Sequence, residues 1–158
     1  MSNTNIRKIR EEEYPLLEDF LYEAVFVPEG EKKPPREIIN SEELQVYIRD
    51  FGKHKDDHCL VAETDNGIAG ACWARIMNDY GHVDDDTPSL AISVREEYRR
   101  RGTGTELMKA MLKLLKEKKY KRVSLSVQKD NYAVRMYKDL GFAIIKETDE
   151  EYIMVYEL

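Results

Sequence analysis

Residues 89–118, SLAISVREEYRRRGTGTELMKAMLKLLKEK, constrain the fold more than any other stretch of the chain. An apolar, strand-like run (SLAISV) enters a turn rich in arginine and glycine. A segment follows that places Leu107, Met111, Leu114 and Leu115 on one face at helical spacing. A strand feeding a helix through such a turn belongs to a sheet flanked by helices. At the helix start several backbone N–H groups lack intrahelical partners, and the helix dipole adds positive partial charge. Gly102 and Gly104 let a bulky anion approach the backbone without meeting a Cβ. Arg99, Arg100 and Arg101 add fixed charge and forked donors for phosphate oxygens. A solvated basic turn whose arginines only offset the many carboxylates is the competing reading, and the apolar strand before it and amphipathic helix after it favour a phosphate cradle. It is not a Walker loop, because no Gly-Lys-Ser/Thr follows. Nor is it a dinucleotide fingerprint, because Leu107 stands where the third glycine belongs.

The rest of the chain supplies a sheet for that unit. TNIRKIR alternates as a strand, and Leu17, Phe20, Leu21, Ala24 and Val25 recur at helical spacing behind it. Residues 27–35 carry Pro, Gly and charge and read as a loop. A second helix is predicted over residues 36–51, with Leu44, Ile48 and Phe51 as its apolar stripe. CLVAETDNGIAGACWARI is a hairpin turning at Asp65-Asn66-Gly67. RVSLSVQ is a strand, NYAVRMYKDLG a short helix closed by Gly141, and FAIIKET with YIMVYEL a closing pair of strands. The order β-α-α-β-β-β-α-β-α-β-β predicts an α/β (α+β) fold with a mixed sheet, in one domain over residues 1–158.

Charge decides between partners. The chain carries 25 Lys+Arg against 31 Asp+Glu, a net of −6, so it has no general affinity for nucleic acid or an anionic membrane. An anion site has to be local. No apolar run approaches the length of a membrane span, and the first residues lack the apolar centre of a signal peptide, so the cytosol is expected. Cys59 and Cys72 are too few for a metal cluster, and His54, His58 and His82 show no paired ligand spacing, so no metal is expected.

ISVREEYRRRGTGTELM resembles the acyl-CoA-binding motif of the GNAT superfamily of N-acetyltransferases. That motif is a strand followed by Arg/Gln-x-x-Gly-x-Gly/Ala at a helix start, matched here by Arg99, Gly102 and Gly104. The superfamily's second motif follows as VSLSVQ, Asn131, Ala133, Tyr137 and LGF at Leu140 to Phe142. The resemblance covers nearly the whole chain; one departure is Glu96, where many members have proline. It implies a mixed, mostly antiparallel sheet of about seven strands flanked by about four helices.

The resemblance also implies acyl transfer, usually acetyl, from acetyl-CoA to an amine. The pyrophosphate would rest on the N–H groups of Arg100, Arg101, Gly102, Thr103, Gly104 and Thr105. The pantetheine arm would run beside Ile92, Ser93 and Val94. Asn131 would bond the arm or a water, or simply cap the helix behind it, and Ala133 would flank it. Tyr137 would face the thioester sulfur, unless it only packs on the helix face it shares with Ala133.

The proton of the acceptor amine has no assigned taker. Many members place a carboxylate near the start of the motif's strand, whereas Thr87-Pro88-Ser89-Leu90 holds none. Glu23, Glu29, His82, Asp84, Asp85, Asp86 and water stay open. Two other readings compete. A catalytically inactive acyl-CoA-binding sensor keeps the fold without the reaction. A nucleic-acid-binding module would use the arginines with Lys121 and Arg122, against the net charge and with only Tyr98 and Tyr120 nearby. The acceptor's identity is open among small amines and protein amines. Homodimers are frequent in the superfamily, and nothing in the sequence specifies an interface.

Overall fold

The computed structural model describes residues 4–158. A single seven-stranded sheet has the order β1-β2-β3-β4-β5-β7-β6. The strands are β1 (Asn5–Lys8), β2 (His58–Thr64), β3 (Gly67–Arg75), β4 (Ser89–Val94), β5 (Arg122–Gln128), β6 (Ala143–Glu147) and β7 (Glu151–Glu157). All neighbours are antiparallel except β4 and β5, which run parallel. Four α-helices accompany them: α1 (Leu16–Ala24), α2 (Glu42–Gln45), α3 (Thr103–Glu117) and α4 (Ala133–Leu140). No described helix is long and apolar enough to cross a membrane.

Helices cover both faces of the sheet, so β2 over residues 59–62 and β3 over residues 69–74 are continuously apolar and buried instead of alternating with polar residues. Leu60, Ala62 and Cys72 pack against Leu107, Met108 and Met111 of α3 on one face. Cys59, Val61, Ala71 and Trp73 meet Leu17, Phe20 and Leu21 of α1 on the other. The hairpin between β2 and β3 closes over Asp65 and Asn66, and the positive φ falls on Gly67, at 118°.

The second helix differs from expectation. Residues 36–51 do not form one continuous helix. A 3-10 turn (Arg36–Asn40) stops at Ser41, which is extended at φ −65°, ψ 148°, and the four-residue α2 begins after it. Asn and Ser compete with helical hydrogen bonds through their own side chains and favour caps, which the 3.6-residue period ignores. Gln45 Nε2 donates to the Ile39 carbonyl at 2.7 Å and so satisfies a group the break exposes. The break redirects the apolar stripe. Ile39, Tyr47 and Phe51 are buried, while Leu44 and Ile48 are only half-buried.

Candidate active site

The central opening lies where β4 and β5 part. They are paired only at Ser89↔Ser124, where the Ser124 N–H donates to the Pro88 carbonyl at 3.0 Å. Beyond that point residues 90–94 have no partner strand on the β5 side. The loop before β4 props the fork open. A Cβ on Gly81 would come within 3.0 Å of the Leu125 carbonyl carbon and the Ser126 nitrogen, so only glycine lets the loop lie this close to β5. Ser124 Oγ ties the contact by donating to the Gly81 carbonyl at 2.7 Å.

At the far end of β4 a 3-10 turn (Glu96–Tyr98) leads into the arginines. Arg100 is left-handed at φ 64° and Gly102 at φ 82°, immediately before α3. Such alternation curls successive N–H groups toward one concavity, which suits an anion. The space above Gly102 is open: no atom lies within 4 Å of where its Cβ would stand. Thr103 is buried, whereas Arg100, Arg101 and Gly102 are exposed. Arg101 stacks over Tyr98 at 5.7 Å. Arg99 turns away from this concavity. Its Nε donates to the Val94 carbonyl at 2.9 Å, and its guanidinium lies 3.7 Å from Glu23.

A cavity of about 320 Å³ passes through the fork. Leu90, Ile92, Leu125 and Val127 line its waist, Asn131 and Tyr137 one side, and Leu21, Phe26, Leu44 and Tyr47 the other. Ser93 and Val94 do not line it. Ser93 is buried with its hydroxyl unpartnered. Asn131 Oδ1 accepts the Ala133 N–H at 2.9 Å, as a helix cap does, which leaves its amide nitrogen for the cavity. Tyr137 packs on Phe142 with centroids 5.9 Å apart, and its hydroxyl has no hydrogen-bond partner among the described residues. Burial pushes its pKa well above the usual phenol value, so it is a proton donor and not a base.

None of the six sequence candidates for the amine's proton lines this cavity. Glu23 is held by Arg99. His82 Nδ1 is bonded to the Met77 carbonyl at 2.9 Å, and Nε2 lies 3.5 Å from the exposed Asp85. Asp84 is bonded to Arg122 and Thr87, which hold its carboxyl low, at about 2. Glu29 and Asp86 are exposed.

Other residues hold that side, and sequence reasoning missed them. Tyr47 lines the cavity, and Asp79 and Ser126 are neighbours of its hydroxyl, with no hydrogen bond formed between them among the described residues. Asp79 accepts the Ser89 hydroxyl at 2.7 Å, and burial raises its carboxyl above the ordinary value. Glu43, bonded to Tyr80, and Glu151 stand at the mouth. One signal was readable: Ser89, Ser124 and Ser126 sit in otherwise apolar strands, where a buried hydroxyl needs a partner. Among the described residues no group of three or more His, Cys, Asp or Glu could hold a metal ion.

Comparison with known proteins gives concordant results. The family model described as Acetyltransferase (GNAT) family matches residues 8–142. An N-alpha-acetyltransferase of Sulfurisphaera tokodaii is 36% identical over 96 residues, spanning 55% of this chain and 57% of that protein. A Bacillus subtilis protein, named as a candidate ribosomal protein bS18-alanine N-acetyltransferase, is 35% identical over 85 residues, or 53% of this chain and 52% of the relative. The chain thus spans only about half the length of these curated relatives. The crystal structure of PaiA N-acetyltransferase from Thermoplasma acidophilum, in complex with coenzyme A, superposes with a TM-score of 0.74 over 99% of both chains at 19% identity.

Proposed function

The chain belongs to the GNAT acetyltransferase family, and on that premise we propose that residues 1–158 act as one domain that transfers an acetyl group from acetyl-CoA to an amine. One observation carries the reading. A cavity through the β4–β5 fork joins the free edge of β4 and Tyr137 on one side to Tyr47 and an acidic mouth on the other.

The residues present fit CoA. The open space above Gly102 and the left-handed Arg100 suit a pyrophosphate on the N–H groups of Arg100, Arg101, Gly102, Thr103, Gly104 and Thr105. Arg100 and Arg101 are exposed and available to further phosphate oxygens, while Arg99 braces the turn from behind. The free edge of β4 at Ile92, Ser93 and Val94 offers backbone groups to an extended amide arm, beside Asn131 and Ala133. The bound thioester supplies the electrophilic carbonyl carbon.

Tyr137 is the catalytic donor to the departing sulfur. With reference pKa values near 10 for phenol and 8.5 for thiol, full proton transfer is uphill by roughly 2 kcal/mol. Burial makes it steeper still. Tyr137 therefore serves mainly by donating a hydrogen bond to the developing thiolate. On the other side, neutralising an alkylammonium of pKa near 10.4 at pH 7 costs roughly 4–5 kcal/mol.

The acceptor enters past Glu43 and Glu151, whose charge favours a cationic amine. Amino-terminal amines are among the candidates, as the names of the relatives suggest. A cytosolic setting accords with the free, buried thiols of Cys59 and Cys72. Release of free CoA thiol from acetyl-CoA, dependent on added amine, tests the reading. Tight CoA binding without any such release would favour the sensor instead.

A further inference from the structure

We propose that the Tyr47 hydroxyl and Asp79 behind it form the relay that takes the proton from the acceptor ammonium, with Tyr47 as the catalytic group and Asp79 as its positioning residue. The inference rests on the N-acetyltransferase reading above.

Placement is the first argument. Asp79 sits at the vertex of the fork, bonded to Ser89 at the only position where β4 and β5 pair. It does not itself line the cavity, whereas Tyr47 does, and the Asp79 carboxylate is a charged neighbour of the Tyr47 hydroxyl, near enough for a hydrogen bond to tighten once substrate is bound. An amine in the cavity can therefore touch the phenol oxygen and reach the carboxylate only through it. A half-buried carboxylate beside a reaction cavity, with no cation bonded to it among the described residues, calls for a role.

Elimination is the second. The other acids of the cavity, Glu43 and Glu151, lie at the mouth, and Glu43 is already bonded to Tyr80. The groups that face the Asp79–Tyr47 pair are Ser89 from β4, Ser126 from β5, the Gly81 N–H from its own loop, and Tyr80, with Glu43 and Glu151 beyond it. Every one of the charged groups in that set is an acid, which favours a proton entering and disfavours a second carboxylate charge.

The step balances without another reactant. The ammonium gives one proton to the Tyr47 oxygen as the Tyr47 proton passes to Asp79, leaving a neutral amine, an intact phenol and a carboxylic acid. The amine lone pair forms the C–N bond and the C–S bond breaks. Sulfur leaves as a thiolate held by the Tyr137 hydrogen bond and becomes the thiol as the new amide nitrogen sheds its proton. Asp79 returns its proton through Tyr47 to water once the product leaves.

The test compares two amines at pH 7: 1,5-diaminopentane, protonated there, and 2,2,2-trifluoroethylamine, which its electron-withdrawing CF3 group keeps largely neutral. Thiol release is followed for the wild type, Tyr47→Phe and Asp79→Asn, with CoA binding measured separately by calorimetry. Both variants should bind CoA as the wild type does and lose on the order of 10²-fold in kcat/KM toward diaminopentane. Trifluoroethylamine should be turned over almost as before. The diaminopentane deficit should shrink as pH rises toward the amine's own pKa, near 10.4. Equal losses for both amines, no loss for either, or loss of CoA binding would overturn the relay. If Asp79→Asn fails to fold, Tyr47→Phe, which keeps the ring, decides alone. A wild type that releases thiol with neither amine would overturn the transferase reading, and the relay with it.

Discussion

The indole N–H of Trp73, in β3, donates to the backbone carbonyl of Tyr47 at 3.0 Å. Two residues along the same strand, Arg75 donates to the carbonyls of Val46 at 3.2 Å and Arg49 at 2.9 Å. Its remaining nitrogens hold Asp57 at 3.0 and 3.1 Å. A four-residue helix has no stability of its own. The clamp from β3 therefore fixes α2 and the turn after it, and so fixes where the Tyr47 ring enters the cavity.

Arg75→Met should be strongly destabilising. It leaves the Asp57 carboxylate, with side-chain exposure of 1%, buried and without its cation. Breaking one partner of such a pair costs about 3–5 kcal/mol. At roughly 2–4 °C per kcal/mol for a chain of this size, the melting temperature should fall by about 10 °C. A change of less than a few degrees would show that the clamp is not rigid.

Trp73→Phe separates position from chemistry. The smaller ring leaves the Tyr47 carbonyl unpaired, at a cost of about 1–3 kcal/mol. The variant should remain folded and bind CoA normally. Its kcat should fall because Tyr47 loses its anchor. Unchanged kcat in a folded variant would mean that Tyr47 needs no such placement.

Tyr137→Phe removes one hydroxyl and keeps the packing on Phe142. The expected loss is about 10²-fold in kcat with little change in KM for acetyl-CoA. Burial keeps this phenol protonated through the neutral range, so the deficit should not vary with pH there. A deficit confined to KM would make Tyr137 a binding residue only.

Asp79→Asn should trade activity for stability. The folded-state pKa of Asp79 is raised above its unfolded value. Its stability contribution is therefore fully present below the unfolded pKa and is lost as pH rises through the folded one. The asparagine has no charge to bury, so the variant's melting temperature should gain on the wild type as pH increases from about 4. Glu13 runs the other way. Arg7 holds its carboxyl at about 2, so its contribution is present above the unfolded value and lost as pH falls toward about 2. Glu13→Gln should cost stability at neutral pH, and that cost should vanish in acid. Melting curves across pH for both variants check the two signs.

The strand, turn and helix of residues 89–117 were legible because each is set by local pattern: apolar run, glycine, helical period. Asn131 and Tyr137 were placed by spacing within the second motif, and the structure brings both to the same cavity. Tyr47 and Asp79 were not legible. Their meeting depends on the helix break at Ser41 and on Gly81 lying against β5, and neither leaves a periodic signature. Arg99 shows the limit from the other side. The motif names the residue but not its direction, and the structure turns it onto the Val94 carbonyl and Glu23.

Calorimetric titration with acetyl-CoA, CoA and ADP, on the wild type and Gly102→Glu, tests the CoA cradle most directly, with a melting curve to confirm that the variant folds. The wild type should bind acetyl-CoA and CoA tightly and ADP more weakly. Gly102→Glu should lose all three, because its side chain and charge enter the open space where the pyrophosphate rests. A wild type that binds none of them, or a folded Gly102→Glu that binds CoA as well as the wild type, would contradict the placement of CoA at the turn between β4 and α3.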